Sequence, residues 1–473
     1  MAPAEPEAPR YRLGPRSTRG LIAGWRTGQI ACVALSLVFS LGLLRSVGGG
    51  LGALFALAVT GTGVAAATWP LAGRTAEQWA PTAASFGLRS VAEGRHRPWQ
   101  ALRRPAPGTF ARLSLFACPG PELQSGDTAR DVEPAGSGIG VIGDAEASTW
   151  SAVVPVGGTG FALLGDAERA DRIAAWSGLL AAMARDAGLY RLQWVSSSYP
   201  AWLDSPLASE PGGSAGEDYG RLLRDAGPNL WAHEVLVVVT VRHVGASRRG
   251  PEVAASQLRG QLSSVEERLR SAGLSPGRPL SPRALATRVR RSFETEPIDE
   301  PICWPWPVGI DAGWSRLRTD ATWHATYWIA EWPRCDVGPG FLLPVLLVPG
   351  VRKAVSVTMA PLPSLAAVRR AERDRTEGTA DAELRNRHGF AVTARARREQ
   401  EGRQQREAEL AEGHAGYRYS GYVTVTESDE GALEHACGRV EQAAALAQLE
   451  LRRLYGAQED GYCCTLPTGR GCR

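Results

Sequence analysis

Lysine, the residue with which nucleotide-binding loops hold phosphates, occurs once in this chain, at Lys353. A P-loop places its lysine in a Gly-Lys-Ser/Thr run, whereas Lys353 stands between Arg352 and Ala354. The sequence therefore excludes a Walker-type ATPase site.

A glycine-rich stretch at residues 138–143 matches the Gly-x-Gly-x-x-Gly pattern of dinucleotide-binding loops. In such a site the glycines follow a strand and open a helix. Here they bracket a short strand, and residues 144–149 lead into another strand. The pattern therefore indicates a β-hairpin that turns near Gly143 and Asp144, and no cofactor is predicted.

Histidine and cysteine do not form the patterns that metal binding or nucleophilic catalysis requires. No two of the seven histidines have the spacing of a ligand set on one helix, and His-Glu-x-x-His and Cys-x-x-Cys are absent. His233 leads directly into an apolar strand, which favours a structural histidine. The sequence predicts no metal, no catalytic residue and no enzyme, and it leaves open whether Cys463 and Cys464 pair.

The 473 residues are 44% hydrophobic and 22% charged, close to the average for globular proteins. This composition excludes wholesale disorder and a transporter with many membrane spans. The net charge of +4 is too even for a protein defined by sequence-specific nucleic-acid binding. Tryptophans and arginines are interspersed over 304–334. One interpretation is a surface on which single-stranded nucleic acid stacks. The favoured interpretation is that these residues form part of the protein core and the rim around it.

Two apolar runs near the N-terminus, at 27–45 and 51–71, are each long enough for a membrane helix. A short glycine-rich turn joins them, which predicts a helical hairpin. Gly52, Ala56 and Thr60 form a stripe of small residues that lets a partner helix approach closely. A secretory signal peptide is the alternative, but the second span and the lack of a clear cleavage site argue against it.

Arginines are concentrated on the outer flanks of the two runs. Arg19 and Arg26 precede the first run and Arg74 follows the second, whereas Arg45 is the one arginine between them. The positive-inside rule then places both termini in the cytoplasm. We therefore expect a multi-pass protein of the cell membrane, with these four arginines setting its topology.

The expected fold class is α+β, with a two-helix transmembrane hairpin followed by a mixed α+β cytoplasmic body of β-α-β units. The expected divisions are a cytoplasmic tail (1–26), the hairpin (27–73), a juxtamembrane helix with a basic linker (74–107), and two α+β regions (108–295 and 296–473). The second region contains a long charged helical segment, 364–412, which is either a solvated helix or a projection toward a partner.

Residues 75–94 predict an amphipathic helix whose apolar side is formed by Trp79, Phe86, Leu88 and Val91.

Two further patterns predict where elements begin and end. Asp166 predicts the N-cap of a helix. Near the other end of the chain, a strand over 418–426, a helix over Asp429–Tyr455 and a strand over 461–465 predict a β-α-β unit.

Three groups of residues, taken in order, resemble a known family. They are Arg10–Pro15 with the hairpin and Gly73–Trp79; Gly160–Leu164 with Arg191–Trp194; and Trp332-Pro333 before Phe341–Pro344, followed by Gln458, Leu466-Pro467 and Gly469–Gly471. The pattern covers roughly residues 10–472 and resembles the actinobacterial two-span membrane protein family found with conjugation-type ATPases. That family is similar to a PrgI-like inner-membrane subunit fused to the N-terminal, non-ATPase part of a type IV secretion ATPase.

The resemblance implies a non-catalytic inner-membrane scaffold of a conjugation or type IV-like secretion machine. Its implied partners are a separate cytoplasmic conjugation-type ATPase, other membrane subunits and membrane lipid, and a homo-oligomer is left open. One alternative is an EccE-like membrane component of a type VII secretion system, which is also a two-span hairpin with a cytoplasmic body. The other alternative is a membrane-anchored enzyme of unknown chemistry.

Overall fold

A computed structural model provides the structure of the chain. It describes residues 27–69, 74–92, 96–97, 108–118, 138–201, 230–243, 250–298, 304–333, 335–362 and 415–471, except 159, 187 and 297, with a few isolated positions between 369 and 409.

The described residues form two long apolar helices, a third helix beside them, and six helices that belong to the body. In chain order they are α1 (Thr27–Val47), α2 (Gly49–Thr68), α3 (Ala76–Ala92), α4 (Asp166–Ala184), α5 (Gly250–Ser271), α6 (Pro282–Arg291), α7 (Leu343–Leu346), α8 (Glu430–Leu446) and α9 (Gln458–Cys463).

The strands belong to one large antiparallel sheet. They are β1 (His96–Arg97), β2 (Leu113–Cys118), β3 (Ile139–Asp144), β4 (Thr149–Gly157), β5 (Arg191–Pro200), β6 (Trp231–Arg242), β7 (Ser275–Pro276), β8 (Ile310–Ala312), β9 (Leu317–Thr319), β10 (Thr322–Glu331), β11 (Lys353–Pro361), β12 (Tyr417–Glu427) and β13 (Glu450–Arg453). Their order across the sheet is β1-β8-β9-β10-β12-β11-β5-β6-β4-β3-β2, with β13 also paired to β10 and β7 also paired to β4.

The first half of the sheet is a β-α-β-β-α-β unit. Strands β4 and β5 both pair antiparallel with β6, so they run parallel to each other with β6 between them, and α4 connects them. Helix α5 then connects β6 to β7, which pairs with β4. The resulting order, β7-β4-β6-β5, is that of a ferredoxin-like fold, in which each β-α-β connection is split by an antiparallel strand.

The second half repeats this topology. Strands β10 and β11 flank β12 and are connected through α7, while α8 connects β12 to β13, which pairs with β10. We call the two halves unit 1 (β4 to β7) and unit 2 (β10 to β13). They meet where β5 pairs antiparallel with β11, and each unit is preceded by two extra strands, β2-β3 and β8-β9.

Apolar side chains on the two faces of this sheet build the core. On one face α4 and α5 cover a cluster of unit 1 that includes Leu192 and Val239, and α8 covers a cluster of unit 2 that includes Val423. Trp194 packs against both clusters. On the opposite face α6 and α9 cover a third cluster that contains the fully enclosed Trp306.

Local sequence signals explain several of these elements. Ser281 caps α6 by accepting a hydrogen bond from the backbone of Ala284, and Pro282 occupies the first turn, where its missing N–H costs nothing. The valine run within β6 is buried on both faces from Leu236 to Val241. The absence of polar alternation in this run fits that burial, and the sheet that provides it is antiparallel.

The predicted α+β class, with its two-helix hairpin and mixed α+β body, is confirmed. The last unit was misplaced, however: its helix α8 ends at Leu446, its strand is β13, and residues 458–463 are helical rather than extended. Asp166 is the first residue of α4, and Gly165 is the N-cap. The predicted domain division at residue 295 stays a prediction. The strands of both units belong to one sheet, so the sheet itself marks no boundary between two domains.

Candidate functional site: membrane hairpin, aromatic junction and strap

Helices α1 and α2 pack against each other through small residues of α2. Gly52 and Ala56 are buried, and a Cβ atom on Gly63 would lie only 2.3 Å from the Cβ of Ser36. The Ser40 hydroxyl donates a hydrogen bond to the carbonyl of Ala56 at 2.9 Å. The predicted hairpin is therefore confirmed, and its stripe of small residues is used within the hairpin rather than on its outer surface.

The outside of the hairpin is covered by large apolar side chains. Both helices are long and apolar enough to cross a membrane. Phe39, Leu54 and Leu57 are more than half exposed, and such side chains face lipid or other membrane helices favourably.

The four arginines predicted to set the topology lie at different places. Arg45 is exposed in the last turn of α1. Arg74 lies just before α3 with its guanidinium 5.3 Å from the centre of the Trp79 ring, and burial, followed by repulsion from Arg452, lowers its pKa. Arg19 and Arg26 lie outside the described residues.

An aromatic cluster connects α3 to unit 2. The ring of Trp314, in the turn between β8 and β9, lies 5.6 Å from Trp79 and 5.2 Å from Phe86, both on α3. Tyr455, which follows β13, completes the cluster at 5.6 Å from Trp79. We call these four residues the aromatic junction, and they link the helix that follows the hairpin to the sheet.

The predicted apolar side of α3 is only half right. Trp79 and Phe86 pack in the aromatic junction, but Leu88 and Val91 are 72% and 87% exposed. At 100° per residue, Leu88 lies about 180° around the helix from Trp79. One apolar stripe therefore cannot contain all four residues.

Residues 464–471, which we call the strap, cross the face of the sheet that α6 and α9 cover. Gln193 lies at its centre: its side-chain Nε2 donates to the carbonyls of Cys464 and Leu466, and its Oε1 accepts from the backbone N–H of Gly469. The Thr358 hydroxyl on β11 donates to the carbonyl of Arg470 at 2.7 Å. The strap is thus bonded to both units.

A buried ion pair fastens one end of the strap. The guanidinium of Arg470 donates to both carboxylate oxygens of Asp144, at 2.7 and 3.0 Å, and both residues are less than 10% exposed. Burial alone would lower the pKa of Arg470, but its bonds to Asp144, together with attraction by neighbouring groups such as Glu146, outweigh burial, and the net pKa is raised. Such bidentate charged bonds are strong and directional.

Sequence reasoning missed the strap as a structural element. Two glycines were the available signal: Gly469 has a φ of +73°, and a Cβ there would come within 2.2 Å of the Thr240 hydroxyl. Together with Pro467, Gly469 and Gly471 disfavour both a helix and a strand, but nothing in the sequence indicates what such a segment crosses.

Buried polar groups on this face are mutually hydrogen bonded. His324 Nε2 lies 2.7 Å from the Thr319 hydroxyl, Nδ1 lies 2.9 Å from that of Thr426, and the ring stacks on Tyr462. Burial, followed by repulsion from Arg352, lowers the pKa of His324 well below its ordinary value. His324 is therefore the buried structural histidine, whereas His233, which was expected in that role, is exposed.

The described buried polar side chains make the structural bonds given above. No group of three or more His, Cys, Asp or Glu residues that could hold a metal occurs among them. Burial raises the pKa of the Cys463 thiol well above its ordinary value, which keeps it protonated and unreactive.

Residues 235–329 match a family model described as "Putative type VII ESX secretion system translocon, EccE". The match is to a secretion-system membrane component. It covers about a fifth of the chain, from β6 of unit 1 to β10 of unit 2. No curated protein matches the chain.

Together, this match and the two apolar helices support a membrane protein of a secretion system. They favour the type VII alternative that the sequence left open, and neither comparison supports the type IV conjugation resemblance.

Proposed function

We propose that the chain is a non-catalytic membrane component of a type VII secretion translocon. The observation that carries this proposal is the EccE match over 235–329, combined with a two-helix hairpin that precedes the body. The matched segment contributes β6, α5, α6 and β10, which lie in both units of the sheet. The matched segment is therefore part of the folded body and is not a single appended loop.

The buried chemistry of the body supports a scaffold rather than an enzyme. His324, Cys463 and the Asp144–Arg470 pair are used to hold the sheet, the helices and the strap together. Each of them is enclosed, so a substrate would have to displace structural bonds to reach it. A rigid body with exposed helices and edges is suited to holding partners.

The outer surface of the hairpin is the proposed contact with other membrane subunits and lipid. Because the small residues of α2 are used against α1, a neighbouring helix would meet large side chains such as Phe39 and Leu57. Dispersion contacts between such side chains are a main source of helix association in membranes.

The proposed cytoplasmic partner is a secretion ATPase. The charged segment 364–412 is the predicted docking element, and it lies almost entirely outside the described residues. The described residues that flank it are hydrogen bonded: the N–H of Leu362 donates to the carbonyl of Gly416 at 2.8 Å, next to the last pair of β11 and β12.

Co-purification from the native membrane tests the function. The full chain, extracted in mild detergent, should recover a four-domain FtsK-like ATPase together with other membrane subunits. Recovery of a conjugation-type ATPase instead would restore the type IV interpretation. Recovery of no secretion ATPase would refute the proposal.

A matched pair of hairpin variants tests the role of the membrane helices. Gly63→Val should separate α1 from α2, because its Cβ would clash with Ser36, and should reduce co-purification of the membrane subunits. Gly61→Val is the control, since a Cβ there meets nothing within 4 Å. Equal recovery with both variants would show that hairpin packing is not needed for assembly.

Deletion of 369–412 tests the docking element. The deleted chain should insert into the membrane normally and lose the ATPase. Full ATPase recovery with a folded deletion protein would exclude this segment as the dock.

The proposed topology has both termini in the cytoplasm. A cysteine at Gly49, in a Cys32→Ala background, should react with a membrane-impermeant thiol reagent added to whole cells. Reaction only after lysis would reverse the orientation.

A further inference from the structure

A small charged cleft lies on the strap-covered face of the sheet, near the line where unit 1 meets unit 2. The ends of β5 and β6, the C-terminal end of α6 and residues 465–467 of the strap enclose it. Its volume is about 60 Å³, enough for about four water molecules or one small oxyanion.

Positive charge dominates the lining of this cleft. Arg288, Arg291 and Arg352 line it, and Glu234 is the one carboxylate among the described lining residues. Lys353 also borders the cleft, but its ammonium lies on the other face of the sheet and donates to the carbonyl of Val348. The carboxylate of Glu234 lies 2.8 Å from Arg288 Nε and 3.8 Å from an Arg291 nitrogen. Three guanidinium groups therefore face one carboxylate within the lining, and Glu294 and Glu427 act on Arg352 from outside it.

The two deepest guanidinium groups are held in place by the protein. Arg352 donates to the carbonyls of Arg291 and Glu294, which follow the last turn of α6, at 2.5 and 2.7 Å. Arg291 donates to the Tyr199 hydroxyl at 2.5 Å and lies 4.6 Å from the centre of that ring. An anion entering the cleft would thus meet cations that are already positioned, which lowers the entropy cost of binding.

We propose that this cleft binds a phosphate group, either as free phosphate or as a phosphate ester. Several arginines around a small pocket suit a doubly charged tetrahedral anion, since the planar guanidinium fork matches two phosphate oxygens at once. The site is independent of the secretion role, so either proposal can fail without the other.

Titration of the full chain in detergent with inorganic phosphate tests the site. With chloride as the counter-titrant at constant ionic strength, calorimetry should show saturable binding of one phosphate per chain. At a phosphate concentration about 100-fold above Kd, the Tm should rise by about 3 °C. No saturable heat, or the same Tm in chloride, would overturn the proposal.

One variant and one control locate the binding. Arg288→Gln should weaken phosphate binding on the order of tenfold, because it removes a charged hydrogen-bond donor. Arg283→Gln is the matched control, since Arg283 lies exposed on the same helix and away from the cleft. Equal losses in the Arg283 and Arg288 variants would show non-specific attraction and refute the site.

Competition distinguishes the sources of the phosphate. Glycerol 3-phosphate represents a lipid headgroup and AMP represents a nucleotide. Displacement of phosphate by one ester at lower concentration identifies that ester class as the ligand, whereas displacement by neither identifies the free ion.

Discussion

Units 1 and 2 have the same topology and differ in what is attached to them. In unit 1 the first crossover is the 19-residue helix α4, whereas in unit 2 it is the four-residue α7. Unit 2 contacts α3, and so the membrane hairpin, through the aromatic junction. The strand that precedes unit 1 holds the guanidinium of Arg470 through Asp144. The difference indicates that the repeated sheet supplies rigidity, whereas the attached elements give the two units different roles.

The connections between the second and third strands of the two units occupy equivalent places. In unit 1 the chain between Pro200 and Trp231 joins β5 to β6, and in unit 2 the chain between Pro361 and Tyr417 joins β11 to β12. Because β5 and β11 run antiparallel, these two strand pairs end at opposite ends of the sheet.

The largest expected effect comes from breaking the ion pair of the strap. Asp144→Ala leaves Arg470 buried without its carboxylate, which should lower the free energy of unfolding by about 3–5 kcal/mol. Thermal unfolding in detergent measures it. Glu146→Gln is the control, because Glu146 is a more distant and more exposed neighbour of Arg470. If the two variants unfold alike, the strap does not stabilise the sheet.

A matched tryptophan pair tests whether α3 depends on unit 2 alone. Trp314→Ala removes the centre of the aromatic junction and should cost about 2–3 kcal/mol, less than for a fully buried ring. Hydrogen exchange of α3 amides should accelerate. Trp150→Ala in unit 1, where the ring packs on Phe116, should leave α3 exchange unchanged. Faster α3 exchange in both variants would contradict a connection specific to unit 2.

Lys353, at the seam between the units, is expected to reduce stability at neutral pH. Burial, followed by repulsion from Arg439, lowers its pKa to about 8, against about 10.4 in an unfolded chain. Lys353→Met removes that cost and loses one hydrogen bond to the carbonyl of Val348. The net gain at pH 7 should be about 2 kcal/mol.

The gain should depend on pH in a defined direction. Between about pH 8 and 10.4 the unfolded chain binds more protons than the native chain, so the native protein with Lys353 gains stability as pH rises. The difference between it and Lys353→Met should therefore shrink from pH 7 to pH 9.5 in denaturant unfolding. A constant difference would mean that the lysine is not charged differently in the two states.

The smallest effect concerns the start of α8 in unit 2. The Asp429 carboxylate accepts a hydrogen bond from the N–H of Ala432 at 2.8 Å, so Asp429→Ala should cost about 1 kcal/mol. Asp429→Asn, which keeps the acceptor, should be close to neutral. A large loss of stability in Asp429→Asn would show that the negative charge, rather than the capping hydrogen bond, stabilises the start of α8. Both are measured as shifts in Tm.

Local sequence patterns predicted the elements better than their arrangement. The two apolar runs, Ser281-Pro282 and Asp429 each mark structure through interactions between near neighbours, and the structure has a helix at each. Pairing across the sheet joins strands far apart in the chain, so the repeated units could not be read from any one pattern. Residues 458–463 contain β-favouring Tyr and Cys, yet they fold as α9 because Tyr462 packs against His324 and Phe293.

The candidate sites divide in the same way. The hairpin was predictable because hydrophobicity and length define it within one segment. The aromatic junction joins residues 79 and 314, and the cleft joins β5, β6, α6 and the strap, so only the folded chain brings these groups together. The tryptophans of 304–334 were predicted to form a core with its rim. This prediction is correct for Trp306, which is buried, and incomplete for Trp314, which also contacts α3.

The strap has a consequence for biosynthesis, because it follows every strand of the sheet in the chain. Until the ribosome releases residues 464–471, the amide of Gln193 and the carboxylate of Asp144 lack the partners that they have in the finished body. The hairpin, by contrast, emerges hundreds of residues earlier and can enter the membrane while the sheet is incomplete. Membrane insertion therefore precedes final closure of the body, and at about 5–20 residues per second the two events are separated by tens of seconds.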